Sequence, residues 1–245
     1  MARRAGVLAW IGVLVLAVIG HVQAQQEPAH ERPFTLILKG NLTTSSQISP
    51  NPAAADPILL AQPDAGKFTL DSFFGYGLEL RYRLPESNVA IGLSSDYIQT
   101  SVDRPFLPVN REAIPAHDAF VMIPIELTGY FIIPASTRVF GIFMGGGGGA
   151  YFGSHSISVG STTADAISLK PGFGIHVLGG VSFRFSDWFS LMAEMKFRDL
   201  QFESVNAFSG KRINYKGILV TVPQRLDENI HADGMVFQLG AAFNF

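Results

Sequence analysis

The sequence predicts an all-β fold, an eight-stranded antiparallel up-and-down transmembrane β-barrel, on three observations. Eight segments alternate apolar and polar residues with period 2 and end in turn residues. The connections between them alternate between long and short. Aromatic residues gather near the ends of the apolar faces, as in the interfacial girdles of membrane barrels.

The eight segments span about 33–44, 72–84, 89–103, 119–133, 138–158, 172–185, 189–204 and 233–245. The short turns are Pro85-Glu86-Ser87-Asn88, Pro134-Ala135-Ser136-Thr137 and Ser186-Asp187-Trp188. The long connections cover about 45–71, 104–118, 159–171 and 205–232. Short turns at one rim and long loops at the other are the habit of membrane barrels, whereas a soluble sandwich has no reason to alternate them. An even strand number also returns both termini to the short-turn rim.

Parity within the segments is clearest in five of them. In the second, Phe74, Tyr76, Leu78, Leu80, Tyr82 and Leu84 oppose Glu79, Arg81 and Arg83. In the fourth, Val121, Ile123, Ile125, Leu127, Phe131 and Ile133 oppose Glu126, Thr128 and Tyr130. The sixth sets Phe173, Ile175, Val177, Val181, Phe183 and Phe185 against His176, Ser182 and Arg184. The seventh sets Leu191, Ala193, Met195 and Phe197 against Glu194, Lys196 and Arg198, and the eighth sets Phe237, Leu239, Ala241, Phe243 and Phe245 against Gln238, Gly240 and Asn244. Alternation alone allows a soluble barrel with the apolar face inside. Aromatics at both ends of the apolar face favour the inverse: Tyr82, Phe131, Phe183, Phe185, Phe189, Phe243 and Phe245 at the short-turn end, and Tyr76, Tyr97, Tyr151, Phe173 and Phe237 toward the long loops.

Composition agrees. Charged residues are 16% and hydrophobic residues 47% of 245, yet past residue 24 no apolar run reaches the roughly 20 residues of a membrane helix. Residues 1–24 read as a secretory signal: Arg3 and Arg4, an apolar stretch from Ala5 to Gly20, and a cleavage site at Val22-Gln23-Ala24. The alternative is an uncleaved anchor, which the polar stretch Gln25–Arg32 disfavours. Residues 25–32 are then a short segment before a barrel at 33–245. Without residues 1–24 the chain keeps 16 basic and 20 acidic residues, a net charge of −4, which argues against a nucleic-acid partner. There is no cysteine, hence no disulfide framework, thiolate metal site or lipoprotein signal. No cofactor is expected.

The lumen face carries Lys39, Asn41, Glu79, Arg81, Arg83, Asp96, Glu126, Tyr130, His176, Arg184, Glu194, Lys196, Arg198, Gln238 and Asn244. Six of these are cationic (Lys39, Arg81, Arg83, Arg184, Lys196, Arg198) and four are acids. An eight-stranded interior is only wide enough for side chains, so charges there must pair. A salt-bridged plug is the expectation, and a polar or gated pathway the alternative.

The run Gly145–Gly149 matches a dinucleotide fingerprint only on paper, because a strand rather than a helix follows it. It is expected to permit close approach in a curved sheet, or to leave lumen space for a large side chain. Pro124, on lumen parity, is expected to cause a bulge or a break in pairing. Ser154-His155-Ser156 is the nearest thing to a nucleophile and base. Adjacent residues point to opposite faces of a strand and no third group can be named, so no enzyme is expected. Leu59, Leu60, Phe106, Leu107 and Ile114 make the outer loops apolar, and Ile218–Val222 suggests an extended hairpin. Loops that pack on one another and cap the barrel are the expectation; a rim that captures a small hydrophobic ligand is the alternative.

The terminal strand Met235–Phe245, with its alternating hydrophobics and final Phe, resembles the terminal signature of outer-membrane barrels. The stretch Ile123–Phe131 followed by the glycine-rich strand at 141–153 is similar to the outer-membrane β-barrel domain family, which includes OmpA/OmpX-type and OmpW-type small barrels. That resemblance implies a bacterial outer-membrane location, surrounding outer-membrane lipid, and recognition of Phe237, Phe243 and Phe245 by the barrel-assembly machinery. It leaves two functional classes: a closed structural or surface-interaction barrel, or a narrow OmpW-like channel for small hydrophobic molecules.

Overall fold

A half-apolar strand in lipid cannot leave an edge unpaired, because no water is present to satisfy its N–H and C=O groups. Closure is the solution found here. In the computed structural model the wall strands are β1 (Phe34–Thr43), β4 (Phe73–Arg83), β5 (Val89–Val109), β6 (Glu112–Ile132), β7 (Phe140–Val159), β9 (Gly172–Arg184), β10 (Phe189–Phe208) and β14 (Gly234–Asn244). Each pairs antiparallel with the next, and β14 returns to β1. The structure describes residues 32–44, 46–49, 68–70, 72–109, 112–160, 162–169, 171–210, 212–221, 225–231 and 234–245. Among them all regular structure is β. The signal reading of residues 1–24 and most of segment 25–32 lie outside the described residues.

The short turns fall where expected. Leu84 N–H donates to the Val89 carbonyl at 3.0 Å, and Ser136 N–H to Ile133 at 3.0 Å. Glu86 holds φ at +54°, a conformation that costs a side chain more than it costs glycine. Glu86→Gly is therefore expected to stabilise the barrel by about 0.5–1 kcal/mol, read from its urea midpoint in lipid vesicles.

The other rim departs from expectation. β5 and β6 stay paired out to Val109–Glu112, with one register shift between Pro105 and Leu107, so 104–118 is a hairpin rather than a loop. Pro105 and Pro115 stand opposite each other in it. They read as loop punctuation, yet proline is tolerated where no ladder N–H is required. β8 (Thr162–Leu169) occupies most of the loop expected at 159–171 and joins β7 to β10. β2 (Ser46–Ser49) pairs β3 (Phe68–Leu70) and β13 (Arg225–His231), and β13 pairs β10. The extended hairpin does form: β11 (Arg212–Tyr215) and β12 (Ile218–Thr221) turn at Lys216-Gly217 with φ of +49° and +84°. Leu59 and Leu60 lie outside the described residues, as do the side chains of Phe106 and Leu107.

The apolar face is outside. Phe173 is 75% exposed and Leu239 71%, whereas Glu79, Glu126 and Lys196 are at most 1% exposed. On β6 the outward positions from Phe131 to Val121 are apolar apart from Gly129. Ten residues span about 33 Å of strand, or about 25 Å of depth at a tilt near 40°, the thickness of a membrane band. Beyond the band the outward residues turn polar. Tyr97 gives way to Gln99, Ser101 and Asp103, Phe152 to Ser154, Ser156 and Ser158, and Phe197 to Asp199.

Pro124 breaks the ladder without a bulge. Pairing with β5 omits Asp96–Pro124 and Tyr97–Ile123, then resumes in the same register at Ile98–Met122. The alternate glycines of β7 permit close approach. A Cβ at Gly145 would lie 2.7 Å from the Gly129 carbonyl oxygen and 3.1 Å from the Tyr130 ring, and one at Gly149 would lie 3.0 Å from Glu126 Cγ.

Candidate functional site

Period 2 sends every second side chain into the lumen, and cross-strand register decides which of them meet. Glu79 on β4 accepts from Lys39 Nζ at 3.0 Å, Arg81 Nε at 2.9 Å and the Tyr130 hydroxyl at 2.7 Å. The Arg81 guanidinium also lies 3.7 Å from the Tyr130 ring centroid, a cation–π contact. Glu126 on β6 accepts from Lys196 Nζ at 2.7 Å, Arg198 Nε at 2.8 Å and the Tyr151 hydroxyl at 2.9 Å. Arg198 reaches Asp96 with its Nη2, so one guanidinium ties β10 to β5 and β6.

Two carboxylates thus act as hubs. Buried charges are tolerable only when paired and hydrogen-bonded, so each hub offsets the desolvation of two cations. Glu194 is the weak member. Neither of its oxygens accepts a hydrogen bond, and Arg81 Nη2 lies 3.7 Å away. His176 hydrogen-bonds Thr128 Oγ1 at 2.9 Å, and Gln238 donates to Asn41 at 2.8 Å. Tyr130→Phe removes one donor to a buried carboxylate and is expected to cost about 2 kcal/mol; the urea midpoint in vesicles reads it.

The charge balance differs from that expected of the whole lumen face. Arg184 is exposed at the short-turn rim and Arg83 is only half-buried; neither joins the network. Both stand on lumen parity but at the last residues of β4 and β9, beside the short turns. The central lattice sets four cations, Lys39, Lys196, Arg198 and the half-buried Arg81, against four anions, Glu79, Asp96, Glu126 and Glu194; Asp118 is a fifth buried acid, outside this lattice and nearer the long loops.

Apolar side chains close the lumen on both sides of this lattice. Toward the short turns, Ile37, Ala90, Tyr130, Phe143, Leu178, Met192 and Ala242 form one buried cluster. Toward the long loops the strand extensions bury Ile98, Ile114, Ala116, Phe120, Ile157, Val159, Ala164 and Phe208. Within them, His155 Nε2 lies 2.8 Å from Asp118 Oδ1, and its Nδ1 is 3.2 Å from Asn206 Nδ2. Phe120 stacks on the imidazole at 4.0 Å. Ser154 and Ser156 face away from His155, as strand parity requires.

Two assignments were misplaced in the sequence. Tyr151 was expected among the outer aromatics; it is fully buried and its hydroxyl serves Glu126. Asp118 fell in an expected loop and is buried on β6. Its signal was available: Ile114, Ala116, Asp118 and Phe120 continue the lumen parity of β6.

Phe237 and Phe243 lie on the outward face of β14, and Phe245 follows its last residue on the same parity. Ring contacts at this rim form two groups, one joining Phe183, Phe185, Trp188, Phe189 and Phe243, the other joining Phe245, Phe34 and Tyr82.

A closed ring of strands with lipid-compatible side chains outside and paired charges inside defines a transmembrane β-barrel. Its fold is that of small outer-membrane barrels. OprG from Pseudomonas aeruginosa superposes with a TM-score of 0.57 at 13% identity, covering 88% of this chain and 97% of that one. Neisserial surface protein A gives 0.47 at 11% identity over 86% and 97%. Outer Membrane Protein W of E. coli gives 0.39 at 14% identity over 88% and 100%. No protein-family model and no curated protein sequence matches the chain.

Proposed function

We propose that this protein is an integral outer-membrane barrel with a closed lumen, serving as a structural or surface-interaction element rather than as a conduit or an enzyme. The observation that carries the reading is the four-against-four charge lattice, closed off by an apolar cluster toward the short turns and by a packed layer toward the long loops in which Asp118, His155 and Asn206 bond to one another among apolar side chains. An ion crossing this interior would have to separate buried pairs and then traverse Met192, Phe143 and Ile37 without hydration, at a cost of many kcal/mol. The strand extensions supply a rigid surface beyond the band, whose outward residues are hydroxyls, amides and charges. Surrounding lipid is the obligatory partner, and the outward phenylalanines of β14 are the features that assembly machinery would read.

The test is single-channel conductance and small-solute flux of refolded protein in lipid bilayers, using material with a heat-modifiable gel shift. Silence is expected. Glu126→Ala, if it folds, loosens the lattice but leaves the apolar layers, so it too remains silent. Discrete steps from folded wild-type protein would overturn the proposal in favour of a channel for small hydrophobic molecules.

A further inference from the structure

We propose that the short-turn mouth of the barrel is a phosphate-binding site, formed by Arg83 and Arg184, whose occupant is the headgroup of an anionic phospholipid. Both arginines stand at lumen-parity positions at the ends of their strands. In the closed ring β4 and β9 are four strands apart among eight, so the two face each other across the mouth. The interior of such a barrel is just spanned by opposed side chains. Neither arginine makes an ion pair with a described carboxylate, and Arg83 Nε is buried with no hydrogen-bond partner. That is a donor in want of an acceptor.

The rest of the mouth is polar and carries a third cation, Arg32, with Glu86, Arg138 and Asp187 in the surrounding turns. Thr35 donates to Asn244 Oδ1 at 2.9 Å, Asn244 Nδ2 reaches Ser190 Oγ at 3.4 Å, and Arg32 donates to the Asn244 carbonyl at 3.1 Å. The apolar cluster around Met192 and Ile37 forms its floor, so an anion entering here goes no further. Two guanidinium forks approaching from opposite walls suit a tetrahedral phosphate, which offers oxygens on several sides, better than a planar carboxylate. The location selects the source. Two groups of aromatic ring contacts lie along this rim, one on β9, β10 and β14 and one from Phe245 to β1 and β4, on the wall that joins Arg184 to Arg83. Lipid phosphates lie at that depth.

The test incorporates the full chain into nanodiscs of phosphatidylcholine with a minor fraction of phosphatidylglycerol, extracts it into mild detergent, and counts retained lipid by native mass spectrometry. In parallel, inorganic phosphate is titrated against Trp188 fluorescence in a Trp10→Phe chain, where Trp188 is the sole tryptophan. Wild-type protein is expected to retain phosphatidylglycerol over phosphatidylcholine. Arg83→Gln/Arg184→Gln should lower that retention about tenfold, Arg83→Lys/Arg184→Lys should restore part of it, and Arg212→Gln at the opposite end should change nothing. The gel shift verifies folding of each variant. Equal retention of both lipids, or undiminished retention by the folded double Gln variant, would overturn the site. Phosphate saturation that needs both arginines, without lipid retention, would overturn the lipid as occupant and leave free phosphate.

Discussion

Glu126→Ala is expected to destabilise the folded barrel by about 3–5 kcal/mol, the cost of stranding buried charges whose partner has been removed. The carboxylate takes hydrogen bonds from Lys196, Arg198 and Tyr151. After truncation Arg198 keeps Asp96, but Lys196 loses the hydrogen-bonded carboxylate it has. Glu194→Ala is the contrast. Its oxygens accept no hydrogen bond, so its loss removes an uncompensated desolvation and should cost about 1 kcal/mol or less. Urea unfolding in lipid vesicles, with the gel-shift midpoint as a second probe, measures both. Equal costs at the two positions would mean that net charge, not hydrogen-bonded pairing, governs the interior.

Gly149→Val is expected to destabilise by about 3 kcal/mol or to prevent closure, at the upper end of overpacking penalties. The added Cβ would lie 2.5 Å from the Ile125 carbonyl oxygen as well as against the Glu126 side chain, and backbone cannot yield as a flexible side chain does. Gly147→Val should behave likewise, its Cβ falling 3.0 Å from Thr128 Cα. Gly40 and Gly179 are the controls, since a Cβ there meets nothing within 4 Å. Alanine at either should be neutral or stabilise by about 0.5 kcal/mol, because glycine is a poor strand residue. Refolding yield in vesicles separates the two classes of glycine.

The wall of the barrel was legible because its signal is local. Eight period-2 segments, three short turns and the break at Pro124 follow from residues a few positions apart. The extension of β7 was legible too, within the segment 138–158, but those of β5 and β6 were not, because Pro105, Pro108 and Pro115 carry loop chemistry and only pairing between the two strands overrides it. The lumen set was legible as a face but not as a network. Parity assigns Glu126, Lys196 and Arg198 to the interior, but only cross-strand register across β5, β6 and β10 makes one of them a hub. Parity also placed Arg83 and Arg184 with the buried charges, since it does not know how far along the strand the lumen stays closed. Tyr151 misled for the opposite reason: tyrosine belongs equally to a membrane interface and to a buried hydrogen bond, and its parity with the lumen glycines decides between them.

Whether the lumen is sealed can be measured directly, because the chain has no cysteine and any introduced thiol is unique. Ser94 is 4% exposed at the level of the charge lattice, opposite Glu79 and Glu126 in register, and Ser94→Cys changes its volume little. Ser101→Cys on the exposed extension serves as the reference. The measurement is the rate at which a small, charged, water-soluble thiol reagent modifies each in the folded, vesicle-inserted protein. A closed interior predicts rapid reaction at position 101 and none at 94 until the barrel is unfolded. Comparable rates at the two positions would show a water-filled lumen and contradict the account.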